Sequence, residues 1–465
     1  MFDKKKQPSV ELAGEAAHAS AVAQLRASFE AIPAGATVRL AKKTSNLFRP
    51  RERATRGLDV EGLAGVISID AEARTADVQG MCTYENLVDA TLEHGLMPLV
   101  VPQLRTITLG GAVTGLGIES TSFKNGLPHE SVLEMDVFTG EGTIVTATPT
   151  NEHADLFRAF PNSYGSLGYA TRLRIELAPI GDLVETRNVR FDSARAMTEA
   201  IERIVADEVW EGERVDGLDG MIVSPGECYL VLANFFPDVR RHPSDYTGQR
   251  IFYRSLEELD RDTLTAHDYI WRWDTDWFWC SNAFGVQNPT VRRLWPSKYR
   301  RSDVFHRIVG FENRYGVAAK IDSMRGELPR ERVVQDVEVP LEELVNFMPW
   351  FDEHVGMTPV WVCPLRLRGD QAWPLYQLEP NRTYVNVGFW GTVAIEPGRA
   401  DGDVNRDIEA VLPTMGGHKS LYSDVYYDAQ TFEDLYGAAE YRRMKSMYDP
   451  SGRLPEFADK VRTHA

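Results

Sequence analysis

The run TITLGGAVTGLGIES at 106–120 restricts what this chain can fold into more than any other stretch. Gly110 and Gly111 are adjacent, Gly115 and Gly117 follow closely, and small or hydroxyl side chains fill the gaps. Such a run lets backbone approach a ligand and reach positive φ, and successive N–H groups then form an anion-binding nest. The expectation is a phosphate-bearing cofactor held mainly by main chain. The run is not a G-x-G-x-x-G fingerprint, because Ser120 stands where the third glycine belongs, and no G-K-[ST] occurs in the chain. A glycine run alone is often only a tight turn; strand-like patterns on both sides give this one its weight.

A chain of 465 residues is too long for one ordinary core, so two or three domains are expected. Hydrophobic residues at 43% and charged residues at 26% suit a soluble globular protein. The net charge of −17 argues against a nucleic-acid partner, which needs a concentrated basic face. No apolar core follows the lysines of MFDKKKQPSVELAGE, and no apolar run approaches a membrane span, so a cytoplasmic location is expected. Cys82, Cys228, Cys280 and Cys363 are far apart and read as reduced thiols. His94 and His129 lack partners at ligand spacing, so no metal is expected.

Val22, Leu25, Phe29 and Ile32 share one face of a helix over 16–32. ATVRLAKKTSN reads as a short strand entering a loop, either a solvated turn or a second phosphate-facing segment. GVISID and TADVQG alternate as a hairpin, YENLVDATLEH is a helix stopped at Gly95, and 132–149 is a strand pair. ADLFRAF is a short helix, and SYGSLGYATRLRIELAP (163–179) is a second glycine turn entering a strand. Beyond 180 the pattern gives a helix over SARAMTEAIERIVAD, paired strands across Ser224-Pro225-Gly226, and strands at 332–340, 358–367 and 383–391. The chain closes on helical FEDLYGAAEYRRMKSMYD.

The order of hairpin, helix, glycine loop, hairpin, short helix, glycine turn and strand resembles the FAD-binding domain of the vanillyl-alcohol-oxidase and p-cresol-methylhydroxylase (PCMH) class of flavoproteins. KKTSNLFR, TLGGAVTGLGIESTSFKNG, VVQDVEVP, TPVWVCPL, YVNVGFWG and LYSDVYYD together resemble the delta-24 sterol reductase group, from about residue 40 to about residue 460. The resemblance implies an α+β fold: a PCMH-type FAD-binding domain over 1–180, an antiparallel-sheet substrate or cap domain over 181–410, and a C-terminal segment, 411–465, packing back on the FAD domain and contributing to the active site. Two departures bear on the substrate. The eukaryotic sterol reductases carry an N-terminal membrane segment that this sequence lacks. Arginine also heavily outnumbers lysine, as in GC-rich bacterial genomes, where sterol synthesis is uncommon.

The resemblance places FAD on Thr108, Leu109, Gly110, Gly111, Ala112, Gly115, Gly117, Ile118, Glu119 and Ser120, with Gly110 and Gly111 nearest the pyrophosphate. Gly165 and Gly168 match the second turn, and Lys43, Thr44 and Ser45 the first loop. Many relatives attach flavin through a histidine there; this loop has none, so FAD is expected to be non-covalent, recharged by NADPH. The implied reaction reduces an isolated lipid C=C. Protonation of the less substituted carbon gives tertiary cation character that accepts hydride, which requires an acid and an apolar, water-excluding pocket. The favoured substrate is a methylene-branched fatty acyl chain in a phospholipid; the alternatives are a delta-24 sterol side chain, an alcohol or sugar for a flavin oxidase, and a lipid carrier without catalysis. Glu119, Tyr422 and Asp424 are the candidate acids, with Tyr426 on the same face as the last two if SLYSDVYY is extended. His418 and Lys419 are weaker candidates, and Gln335 and Asp336 read as a structural hydrogen-bonding pair. The tryptophan- and arginine-rich stretch at 270–307 reads first as buried aromatics, then as a lipid-facing entrance for peripheral membrane contact, then as a protein interface.

Overall fold

Alternation of apolar and polar residues at 65–80 folds as the hairpin Val66–Asp70 and Thr75–Gln79, the edge of an antiparallel six-stranded sheet. The structure is a computed structural model describing residues 10–42, 57–238, 241–315 and 327–462. Across that sheet, Thr75–Gln79 pairs with Tyr169–Pro179, which pairs with Val132–Phe138 and then Ile144–Ala147; Leu96–Pro98 joins the far end of Tyr169–Pro179. Helix Tyr84–Leu92 begins at Thr83, whose hydroxyl accepts from Asn86 N, and Gly95 at φ +67° turns the chain out of it. Helix Gly14–Glu30 buries Leu25 and packs Val22 and Phe29 on a small separate core. ATVRLAKK makes only one bridge, Leu40 to Leu58, instead of a strand, and the rest of its loop lies outside the described residues.

The first sheet ends at Pro179 and the second begins at Leu183. This second, eight-stranded antiparallel sheet runs Arg261–Thr265, Leu183–Phe191, Glu227–Asn234, Gly217–Ser224, Val360–Arg366, Thr383–Ala394, Arg330–Pro340 and His418–Lys419. Its two faces follow from the period of two. Val333, Val337, Val339, Val385, Val387 and Phe389 point one way, into a core closed by helices Ala194–Asp207, Leu344–His354 and Asp403–Val411. The opposite parity (Met221, Val334, Trp361, Cys363, Tyr384 and Trp390) joins the core shared with the first sheet. One face is thus structural, and the other looks at the glycine loop.

The C-terminal helical run splits into Ala429–Leu435 and Ala438–Tyr448. Gly437 is the break: its φ is +66°, and a Cβ there would meet Pro374 O at 2.0 Å. These helices return to the first body. Lys445 Nζ donates to Ser166 O (3.1 Å), Phe457 stacks on Tyr164, and Tyr448 OH bonds His153. Residues 420–427, which would be extended if Tyr422, Asp424 and Tyr426 shared a strand face, are irregular, although burial still alternates along them.

Candidate active site

Thr108 caps the short helix Leu109–Thr114, its Oγ1 accepting from Gly111 N at 3.2 Å. The first turn of this helix is otherwise committed to protein, since Leu109 N donates to Cys82 O and Gly110 N to Gly80 O. Leu109 and Ala112 point into the core. Gly110 is buried because a Cβ there would meet Gly80 O at 2.6 Å, so it serves chain packing. Gly111 is exposed, and its missing Cβ faces only Thr108 Oγ1. Of the two adjacent glycines, it is the one that leaves room for a ligand. Farther on, Gly115 O accepts from Asn162, and Gly117 sits between Pro102 and Pro128. Among the described residues, the N–H groups of Leu116, Gly117 and Ile118 have no protein acceptor. Gly165 and Gly168 both have positive φ; Gly168 packs on Phe138 O, and Gly165 lies beside Tyr169 and Lys460. Lys43, Thr44 and Ser45 lie outside the described residues.

Glu119 and Ser120 turn away from that strip and into the second body. Ser120 O accepts from Leu218 N, and its hydroxyl bonds Tyr269 OH at 2.8 Å. Glu119 Oε1 accepts from Gln103 Nε2 (2.9 Å) and Arg272 Nη2 (3.0 Å), and Oε2 from Ser120 N. Arg272 also reaches Asp219 Oδ2 (2.9 Å), which accepts from the indoles of Trp273 and Trp361. Burial alone would depress the guanidinium, but the Asp219 and Glu119 carboxylates more than offset it and hold Arg272 charged. Arg105 adds a second clamp, through Asp274 and over the Trp271 ring. With its oxygens so engaged, Glu119 is a positioning group that ties the glycine loop to the second sheet.

Tyr422 and Asp424 lie on the segment that crosses the inner face of that sheet. Leu421 N donates to Tyr164 OH (3.0 Å), and Tyr164 N donates to Thr114 O, so this segment touches both glycine stretches. Tyr422 OH accepts from Trp390 Nε1 (2.9 Å) and donates to Asp336. Asp424 pairs with Arg332, and Tyr426 packs on Arg406 while its N–H is held by Glu409. Lys419 is buried and paired with Glu409 at 2.6 Å. His418 is pushed down to about 4 by burial, so it is neutral at ordinary pH. Gln335 and Asp336 do not form a pair. Strand alternation sends Gln335 to Asn405 on the structural face and Asp336 to Asn386 and Tyr422 on the inner one. Two residues on, Glu338 faces the same way and accepts from Tyr376 OH and Ser420 Oγ. Desolvation raises both acids, Asp336 to about 6 and Glu338 well above the usual carboxylate range.

Several side chains around the shared core keep some exposure: Leu104, Ile107 and Leu116 near the glycine loop, Tyr164, and Trp279, Trp390 and Tyr422 opposite. They outline an apolar seam between the two bodies. Exposed Gly111, the unpaired N–H groups after Gly115 and these partly exposed apolar side chains suit a ligand that joins phosphates to an apolar ring. The comparisons decide which ligand: residues 17–148 match the FAD binding domain family. The chain carries an FAD-binding domain. It is related over most of its length to delta(24)-sterol reductases. The enzyme of Rattus norvegicus is 23% identical over 413 residues, covering 86% of this chain and 76% of that protein. A delta(24)-sterol reductase homolog of Caenorhabditis elegans is 21% identical over 434 residues, 88% of this chain and 79% of its own. Cytokinin dehydrogenase 2 of Oryza sativa subsp. japonica is 35% identical, but over 147 residues, 31% of this chain and 26% of its own.

Among the described residues, no group of His, Cys, Asp and Glu side chains is arranged to hold a metal, and no helix is long and apolar enough to cross a membrane. Sequence reasoning missed Arg272, Asp219, Asp336, Glu338, Tyr164 and Trp390. The signal available for two of them was parity, since Arg332, Asp336 and Glu338 are polar residues on one side of a strand whose other side carries Val333, Val337 and Val339.

Proposed function

We propose that the protein is an FAD-dependent, NADPH-consuming oxidoreductase that saturates an isolated, alkyl-substituted C=C bond of a lipid. The observation that carries the reading is an aromatic cluster, Phe278, Trp279, Trp390 and Tyr422, tied through Leu421 and Tyr164 to the glycine loop and set beside two carboxyls raised by burial. The relatives named delta(24)-sterol reductase support a sterol side-chain alkene as substrate. A methylene-branched fatty acyl chain is the second reading, favoured by the arginine-rich composition; it yields the same tertiary cation on protonation. Bound FAD supplies the hydride. The protein's own residues do the rest. The strip at Gly111 and Leu116–Ile118 seats the cofactor, the Glu119–Arg272–Asp219 network fixes loop to sheet, and Trp279, Trp390 and Phe278 exclude water. Aromatic faces also stabilise developing positive charge on carbon.

Anaerobic NADPH is expected to bleach the flavin band of the purified protein. Adding a lipid alkene should then restore it. Reoxidation by a delta-24 sterol but not by methylene-branched phospholipid assigns the first substrate, and the converse assigns the second. Bleaching by an alcohol or sugar and not by NADPH rejects the reductase.

The 270–307 stretch divides between two environments. Trp271, Trp273, Trp277 and Phe278 are buried, whereas Leu294 (79% exposed), Tyr299 (46%) and Val291 (39%) point outward beside Arg293 and Lys298. This outward patch is the proposed contact with an anionic bilayer from which substrate is drawn. Leu294→Ser is expected to weaken cosedimentation with anionic vesicles on the order of tenfold, in line with one lost buried side chain. An unchanged vesicle-bound fraction removes the patch from the reading.

A further inference from the structure

On the sheet face opposite the glycine loop, an acid, a phenol and an indole are joined in one chain of hydrogen bonds. Tyr422 OH donates to Asp336 and accepts from Trp390 Nε1 at 2.9 Å. Asn386 Nδ2 donates to Asp336 Oδ1 at 3.1 Å. The strand pairing is shaped around this carboxyl, because Gly388 lies opposite Asp336 and a Cβ there would meet Asp336 Oδ1 at 2.4 Å. Tyr422 and Asp336 are both half-buried, so the pair borders the seam. Beside it stands an aromatic wall: Phe278 lies 4.2 Å from Trp390, 5.6 Å from Trp361 and 5.1 Å from Trp273. Trp277 and Phe278 hold φ of +47° and +59°. Two adjacent aromatics in the left-handed region cost about 1–3 kcal/mol each, strain of the kind that gathers at functional sites.

We propose that Tyr422, backed by Asp336, delivers the proton to the alkene, and that the Trp390–Phe278 wall receives the resulting cation. The inference rests on the reductase reading above. With Asp336 protonated, its O–H turns to the phenolic oxygen and frees the phenolic O–H for the substrate; that bond then breaks as the alkene π pair forms a C–H bond at the less substituted carbon. The Asp336 carboxyl proton passes to the phenolic oxygen, while the Trp390 N–H steadies charge there. The tertiary cation takes the hydride that reduced flavin supplies, so the alkene is reduced and the flavin oxidised. Asp336, left as carboxylate, regains a proton from solvent. Glu338 is bound to Tyr376 and Ser420, and Asp424 to Arg332, which leaves Asp336 as the carboxyl bonded to Tyr422.

The ionisable groups that act on Asp336 are Glu338 on its own strand, Cys363 on the next strand but one, Val360–Arg366, and Tyr422; Tyr376 is bonded to Glu338, and Arg332 to Asp424. Burial raises Cys363, Tyr376 and Tyr422 away from neutrality and lifts Glu338 well above the usual carboxylate range; Asp336, pushed up to about 6, is the carboxyl bonded to Tyr422. The donor form is the protonated one, and transfer should weaken as pH rises through about 6.

The test uses Asp336→Asn and Tyr422→Phe, both close in shape to the native side chains, checked for flavin content. The first readout is reoxidation of dithionite-reduced protein by the alkene across pH. Wild type should slow above about pH 6, and both variants should lose ~10²–10⁴-fold, the usual weight of a general acid. Asp336→Asn should also lose the pH dependence. The second readout does not need turnover: a carboxylic C=O stretch in the infrared should titrate near 6, shift in Tyr422→Phe and vanish in Asp336→Asn. Variants that reoxidise within about threefold of wild type, or an Asn variant that keeps both the pH limb and the carboxyl band, overturn the proposal. A wild type that no lipid alkene reoxidises overturns the reductase reading, and this proposal with it.

Discussion

Arg272→Met is expected to destabilise the folded protein by about 3–5 kcal/mol, the cost of breaking a buried ion pair from one side. The Arg272 side chain has 0% exposure and lies between two carboxylates, Glu119 at 7% and Asp219 at 0%. Removing the guanidinium leaves both acids buried without a counter-charge. Trp273 and Trp361 still donate to Asp219, and Gln103 to Glu119, but neutral donors replace little of the lost field. The acids in the variant then favour protonation, with folded values above unfolded ones. Stability contributed by a raised group is present below its unfolded value and lost as pH rises through the folded one, so the deficit should shrink on acidification. Denaturant unfolding at neutral and mildly acidic pH measures both effects. Adding Glu119→Gln and Asp219→Asn should recover part of the loss. A deficit below about 1 kcal/mol, or one indifferent to pH, would mean that this network does not hold the glycine loop to the second sheet.

Local signals in the sequence were sufficient wherever periodicity and backbone chemistry decide the outcome. The 65–80 hairpin, helix Tyr84–Leu92 with its Thr83 cap, and the strand ending at Pro340 all follow from patterns within a dozen residues or so. The glycine loop was legible as a place of close approach, but which neighbour each glycine approaches was not. Gly110 is small for Gly80, thirty positions away, and only Gly111 is small toward open space. Long-range pairing is also what hid the charged core. Arg272 sits in a tryptophan-rich stretch that reads as packing, and its partners Glu119 and Asp219 are distant in sequence and share no motif with it. Asp336 was passed over because its neighbour Gln335 offered a simpler local explanation, which strand parity rules out. Residues 420–427 alternate in burial without being a strand, because they thread between two bodies; pairing with Arg330–Pro340 is confined to His418–Lys419 and the Ser420 N–H.

Gly111→Asp is expected to abolish FAD binding while leaving the apoprotein folded. The position is exposed in the first turn of Leu109–Thr114, and a Cβ there would meet only Thr108 Oγ1, whose displacement gives up its cap to Gly111 N at a cost of ~1 kcal/mol. A carboxylate in the first turn interacts favourably with the helix dipole by ~0.3–1 kcal/mol, which offsets most of that cost, so the apoprotein should still fold. The cofactor meets the opposite condition. A fixed negative charge about 4 Å from a pyrophosphate charge, at an effective dielectric near 20, opposes binding by ~4 kcal/mol, roughly a thousandfold in affinity. Gly111→Asn adds similar bulk without charge and should fall between wild type and Asp, which separates electrostatics from sterics. Gly110→Ala provides the contrast, because its Cβ would strike the backbone of Gly80 at 2.6 Å and should cost stability before it costs flavin. Flavin absorbance per protein and thermal unfolding of the apo forms measure the two effects separately. Wild-type flavin content in Gly111→Asp would move the pyrophosphate away from this loop, toward the unpaired N–H groups of Leu116–Ile118.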